Sequence, residues 1–152
     1  MSDLRLEELS AKNIVEANAL SMKPGQEHFI EPVSYAMAGP FLDPSNNWSR
    51  VVIDKDDQVV AFLMANFDPN AHEEEFRSCI WRMNVAANTQ GKGVGRFAVV
   101  AAADEARKRG FTRLTVIWEP GEDGPEEFFL RVGFAVVEET RYGEKIGAID
   151  FV

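Results

Sequence analysis

The sequence predicts an α/β domain: a mixed, mostly antiparallel sheet of about six to seven strands with about four helices. Three observations predict it. An apolar run ending at Val85 feeds a glycine-rich turn, an amphipathic run starts near Val94, and a new apolar run covers Leu114 to Trp118. Strand, helix and strand with short joints make a parallel crossover. Two strand-like runs, Trp48 to Asp54 and Val59 to Phe67, flank Asp56-Asp57 as a hairpin. A second hairpin, Phe134 to Glu138 with Ile146 to Val152, folds around Tyr142-Gly143.

The chain has 152 residues, which suits one domain over its whole length with a full core. Its hydrophobic fraction of 45% and charged fraction of 27% are those of a globular protein. Acids outnumber bases 25 to 16, a formal charge of −9. That excess argues against nonspecific nucleic-acid binding and favours a cationic partner, or simply keeps the chain soluble. The single cysteine, Cys79, forms no internal disulfide and suits a reducing cytoplasm. The N-terminus has no apolar signal core, and no run is long enough to span a bilayer, so no membrane partner is expected.

Taken in order, Leu4, Leu6 and Leu9 with Arg5 and Glu7 between the first two suggest a first strand. Ser10 can cap a helix through Leu20 with Ile14, Val15, Ala17 and Leu20 as its buried stripe. Pro24-Gly25 breaks it, and Pro32 to Met37 reads as a second short helix. Gly39-Pro40 through Asn47 is a turn-rich joint, and Asp68-Pro69-Asn70 closes the hairpin's second strand. Glu73 to Glu75 reads as a solvated rim. Phe76 to Val85 is the next strand, with Cys79, Trp81, Met83 and Val85 alternating onto one face.

The helix from Val94 to Arg109 is alanine-rich, with Val94, Phe97, Ala98, Ala101 and Ala102 inward. Arg107, Lys108 and Arg109 suit its negative end, and Gly110 stops it. Gly124-Pro125-Glu126-Glu127 looks like another helix start, and Gly133 ends that helix. His28 and His72 show no metal-ligand spacing, so no metal is expected.

The chemistry concentrates between Met83 and Arg96. Gln90-Gly91-Lys92-Gly93-Val94-Gly95-Arg96 opens a helix whose first N–H groups lack intrahelical partners and whose dipole is positive there. Glycines let backbone approach a ligand closely, so the turn reads as a cradle for a phosphate or pyrophosphate. The plain alternative is a turn that merely joins strand to helix. Arg96 stands where a dinucleotide fingerprint needs its last glycine. Gly93 follows Lys92 where a nucleoside-triphosphate loop needs Ser or Thr.

The spacing does match Q/R-x-x-G-x-G/A, and with Gly133-Phe134 after the last helix the chain resembles the GCN5-related N-acetyltransferase (GNAT) family. The resemblance runs along nearly the whole chain and is strongest from Ile80 to Phe134. It implies acetyl-CoA (or CoA) as cosubstrate, held by Met83, Asn84, Val85, Gln90, Gly91, Lys92, Gly93, Val94, Gly95, Arg96 and Phe129. The backbone groups of Met83 and Val85 would pair with the pantetheine arm, and the Val85 N–H would polarise the thioester carbonyl. The activity implied is transfer of acetyl to a primary amine of a small acceptor, by direct attack in a ternary complex. The other reading is a non-catalytic acetyl-CoA-binding sensor or partner subunit of the same fold.

Gln26 to Pro32, Phe67-Asp68-Pro69 and Glu119-Pro120 look closest to bacterial spermine/spermidine acetyltransferases. That likeness implies a polyamine or diamine acceptor. The family resemblance implies that this early helical region walls the acceptor site, with Glu27 and Glu31 on an ammonium group or simply solvated, and His28 a candidate base or neither base nor ligand. The expected partner is a small-molecule amine in the cytoplasm, with a homodimer an open possibility. Three departures stand out. Phe129 replaces the family's thiolate-protonating tyrosine, Glu122 its asparagine, and Cys79 the glutamate that some members use as base. The general base is therefore not identified.

Overall fold

A computed structural model of the chain describes residues 3–20, 43–122 and 124–151. The predicted helix from Pro32 to Met37, and Glu27, His28 and Glu31, lie outside the described residues. Among the described residues seven strands form one sheet: β1 (Arg5–Glu8), β2 (Asn47–Ile53), β3 (Val59–Phe67), β4 (Ser78–Val85), β5 (Arg113–Trp118), β6 (Ala135–Glu139) and β7 (Lys145–Asp150). Three α-helices stand among the described residues: α1 (Ile14–Asn18), α2 (Val94–Lys108) and α3 (Glu126–Val132).

The strand order is β1-β2-β3-β4-β5-β7-β6. Every neighbouring pair is antiparallel except β4 and β5, which α2 connects in parallel. The β2–β3 hairpin turns through Asp57, whose φ of 61° is left-handed. The Asp54 carboxylate steadies that turn by accepting from the N–H groups of Asp56 and Gln58.

One face of the sheet packs under α2 and α3. Val94, Ala98, Val99, Ala102, Ala103 and Ala106 of α2 meet Leu63, Ala65, Ile80, Leu114 and Val116 of the central strands. Leu63, Ile80 and Leu114 are essentially without exposure, and each such side chain stabilises by about 1.5–3 kcal/mol. The small alanines let α2 lie close to the sheet. The opposite face carries two separate clusters. Ala17 of α1 covers Val51, Ile53, Val59 and Phe62. The short turn Glu74–Phe76 covers Cys79, Ile117 and Ile146.

Two sequence expectations need correcting. Helix α1 is five residues long, not a run from Ser10 to Leu20, and Val15 is 77% exposed with Ile14 beside it at the surface. The reason lies at Asn13, whose side chain accepts from the Ser10 N–H and donates to the Glu8 carbonyl. That clasp holds 10–13 as a turn, and so short a helix buries only the face of Ala17.

The second correction concerns β4. Met64 pairs with Arg82 but Ala65 with Ile80, so Trp81 is an extra, bulged residue. The bulge breaks the expected single face. Cys79 and Trp81 join the cluster beneath Glu74–Phe76, while Met83 and Val85 join the core beneath α2.

Candidate functional site

The bulge also opens the sheet. Strands β4 and β5 pair only at Cys79↔Thr115 and Ile80↔Val116. Beyond Ile80, the stretch from Trp81 to Val85 has no pairing on its β5 side. The backbone groups facing this gap follow from the pleat. The Ala86 N–H donates across the ladder to the Val60 carbonyl at 2.9 Å. Alternation turns the N–H and C=O of Val85 the other way, and those of Met83 with them. The Val85 carbonyl confirms the direction, because it accepts from Gln90 Nε2 at 2.9 Å.

The glycine-rich turn meets the end of this gap. A single 3₁₀ turn, Ala87–Thr89, carries the chain out of β4. Thr89 closes that turn, with both its N–H and its hydroxyl donating to the Ala86 carbonyl at 3.0 Å. Gly91 and Gly93 then take φ of +83° and +87°, which L side chains rarely adopt. Gly93 is the N-cap of α2, and the helix's first turn presents the N–H groups of Val94, Gly95 and Arg96. Gly95 has a different reason. A Cβ there would lie 2.8 Å from Phe128 Cζ, so its absence lets α3 approach the start of α2. Lys92 and Arg96 are exposed beside the turn and add positive charge.

Phe129 is buried in an aromatic cluster with Trp118, which ends β5. Its ring stacks on Trp118 at 5.4 Å and meets Phe128 and Phe134 edge-on at 5.4 and 5.7 Å. Trp118 is held by its indole N–H, which donates to the Glu126 carboxylate at 3.1 Å, and it fits because β7 has Gly147 beneath it. Phe129 thus shapes this cluster and has no proton to give. Glu122 lies exposed on the joint before α3.

Cys79 is fully buried, and desolvation pushes its thiol up to about 12. A thiol that stays neutral at physiological pH is no general base. In the rim, Glu73 and Glu74 are exposed but Glu75 is half-buried. Its carboxyl is pushed up, first by desolvation and then by Glu73, Glu138 and Glu74 around it. Among the described residues no group of His, Cys, Asp or Glu is arranged to hold a metal ion. None of their helices is long and apolar enough to cross a membrane.

Residues 83–85 thus form the end of β4 beside the gap, residues 90–96 lead from it into α2, and Phe129 belongs to the core on the α2 side. The side chain of Asn84 is not on that side. It points to the opposite face of the sheet, as does Arg82, because their cross-strand partners are Phe62 and Met64 of the α1-side cluster. Sequence reasoning passed over Arg82. The available signal was a cation inside the apolar run from Cys79 to Val85, in a chain with more acids than bases.

A mixed seven-stranded sheet, split beside its parallel pair where a glycine turn opens a helix, is an α/β acyltransferase fold. The acetyltransferase (GNAT) family pattern matches residues 14–134, and the chain belongs to that family. No curated protein sequence matches it. Among solved structures it is similar to a nourseothricin acetyltransferase, with a TM-score of 0.67 and 17% identity over 98% of both chains. The GNAT domain of PAT from S. lividans aligns with a TM-score of 0.71 and 14% identity, over 97% of this chain and 90% of that one. A spermidine N-acetyltransferase from Vibrio cholerae aligns at 0.65 and 15%, over 99% and 95%. At such identities these structures share the fold.

Proposed function

We propose that this acetyltransferase moves acetyl from acetyl-CoA to a primary amine of a small acceptor, by direct attack in a ternary complex. One observation carries the reading: the edge of Met83 to Val85, which no strand pairs on the β5 side, runs into the glycine turn that starts α2. An extended arm can add to that edge as a strand would. A pyrophosphate at its far end would meet the backbone N–H groups of the turn and the positive end of a fifteen-residue helix.

Bound acetyl-CoA would supply a thioester whose C–S bond breaks as the acceptor's N–C bond forms, the amine losing a proton and the thiolate gaining one. The chain's own part is positioning and polarisation. The Val85 N–H, facing the gap, stabilises negative charge developing on a carbonyl oxygen placed there. Trp118, Phe128 and Phe129 exclude water from the α2 side of the gap. Positioning supplies much of the rate, so the lack of a tyrosine slows the reaction rather than abolishing it.

The polyamine or diamine acceptor is supported by the net charge of −9 and by the sequence likeness described above. Against it stands Arg82, a cation on the face opposite α2. The second functional reading, an acetyl-CoA-binding sensor without turnover, is favoured by Phe129. The deciding experiment measures acetyl-CoA binding by thermal shift and thiol release against a panel of amines, with and without the protein. Acetyl-CoA binding with amine-dependent release supports the enzyme. Binding without release for any amine supports the sensor, and no binding removes both.

A further inference from the structure

We propose that Arg82 and Asn84 form the acceptor subsite, and that the acceptor carries a carboxylate beside its amine. This narrows the acetyl-transfer reading and rests on it. Arg82 and Asn84 lie two residues apart on one face of β4, next to the gap and on the side away from α2. That spacing is about 6.5–7 Å along a strand. The Arg82 guanidinium carbon lies 5.8 Å from the centre of the Phe62 ring. Phe62 is the cross-strand partner of Asn84, not of Arg82, so the guanidinium leans along β4 toward Asn84.

Each side chain holds one inaccessible polar atom without a partner among the described residues. Asn84 is only 7% exposed, and its Oδ1 has no hydrogen-bond partner among the described residues. Arg82 is only half-buried, but its Nε is inaccessible and likewise has no partner among the described residues. Buried polar atoms are nearly always satisfied, so two orphans on adjacent same-face positions point to a ligand. Arg82 also makes no ion pair among the described residues, although acids outnumber bases 25 to 16, whereas Arg50 reaches Glu8 at 3.7 Å.

The chemistry of the two groups defines the ligand. A guanidinium is a planar fork of donors that matches a carboxylate. An amide oxygen accepts an amine N–H and does not titrate, so it orients the nitrogen at any pH. Asn84 is the residue before Val85, whose N–H faces the gap, so an amine held there sits where the two faces of the sheet communicate. The same arginine would repel a second ammonium, which disfavours polyamines.

The test uses the full chain with acetyl-CoA and matched acceptors: lysine with cadaverine, phenylalanine with phenethylamine, alanine with ethylamine, and spermidine. In at least one pair the carboxylate-bearing member should show kcat/KM higher by about tenfold or more. Arg82→Gln should bring that ratio close to one without changing acetyl-CoA affinity. Arg82→Met retains the packing on Phe62 and serves where Gln does not fold. Asn84→Ala should lower kcat/KM for both members of a pair and leave their ratio intact. The proposal is overturned if cadaverine or spermidine is used as well as the amino acids, or if Arg82→Gln affects both members equally. It is also overturned if acetyl-CoA binds and no carboxylate-bearing amine is acetylated. Acetylation of other amines would leave the acetyl-transfer reading standing, whereas failure to bind acetyl-CoA would bring down both.

Discussion

The Gln90 side-chain amide donates to the Val85 carbonyl at 2.9 Å, tying the start of the glycine turn to the last residue of β4. That carbonyl lost its strand partner when β5 diverged, and Gln90 satisfies it. The bond therefore joins the two halves of the proposed cosubstrate surface and holds Val85 in register. Gln90→Ala should lower stability by about 1 kcal/mol, the worth of one such bond, and weaken acetyl-CoA several-fold. Denaturant melts and calorimetric titration check both. An unchanged acetyl-CoA affinity would mean that the turn and the strand edge do not act together.

Gly93 gives a cleaner test of the phosphate cradle. Its φ of +87° penalises any side chain, so a single substitution confuses strain with charge. Asn and Asp tolerate that conformation best and have nearly the same shape. Gly93→Asn and Gly93→Asp should therefore share the strain, while only Asp brings a negative charge to the α2 N-terminus. Asp should weaken acetyl-CoA about tenfold more than Asn, and raised salt should narrow the difference. Equal affinities for the two variants would place the pyrophosphate elsewhere.

Much of this architecture was legible in the sequence because its signals are local. The Asp56-Asp57 turn, the glycines at 91 and 93, and the Gly133 stop each dictate a backbone conformation. Other features were not local. Cys79, Trp81, Met83 and Val85 alternate identically whether or not a residue is bulged, and only pairing with β3 shows that Trp81 is extra. Helix α1 is too short for its period to declare a face, and Val15 was misplaced for that reason. Arg82 and Asn84 gain meaning only from atoms that no described residue satisfies, which is a property of the folded chain.

Phe129 stands where the resemblance calls for a tyrosine, and its ring is packed on three sides by Trp118, Phe128 and Phe134. Phe129→Tyr is expected to place a proton donor at the gap without repacking the cluster. Acetyl-CoA affinity should then stay within about twofold, and turnover should be equal or raised by up to about tenfold. That is below the usual return from an added acid, because a thiol leaves readily. Steady-state kinetics with a fixed amine, alongside binding, check this. A collapse of acetyl-CoA binding would show that the hydroxyl is forced into the packed side of the cluster.

Cys79 supplies the prediction on pH. Burial raises its thiol to about 12 in the folded chain, against about 8.5 for a thiol in water. The unfolded chain therefore releases this proton first as pH rises, and binds fewer protons than the native state above pH ~8.5. The stabilisation is complete below that pH and is lost as pH climbs toward the folded value of about 12. The slope from this one group approaches about 1.4 kcal/mol per pH unit within the window. Urea melts of the wild type and of Cys79→Ala at pH 8, 9 and 10 would isolate it. The wild type should lose stability more steeply than the alanine variant, although alanine starts lower because of the cavity it leaves. In the native state a thiol reagent at pH 8 should react only as fast as the chain unfolds. Rapid labelling, or parallel pH slopes for the two proteins, would mean that the β4–β5 region opens far more easily than its packing beneath Glu74–Phe76 suggests.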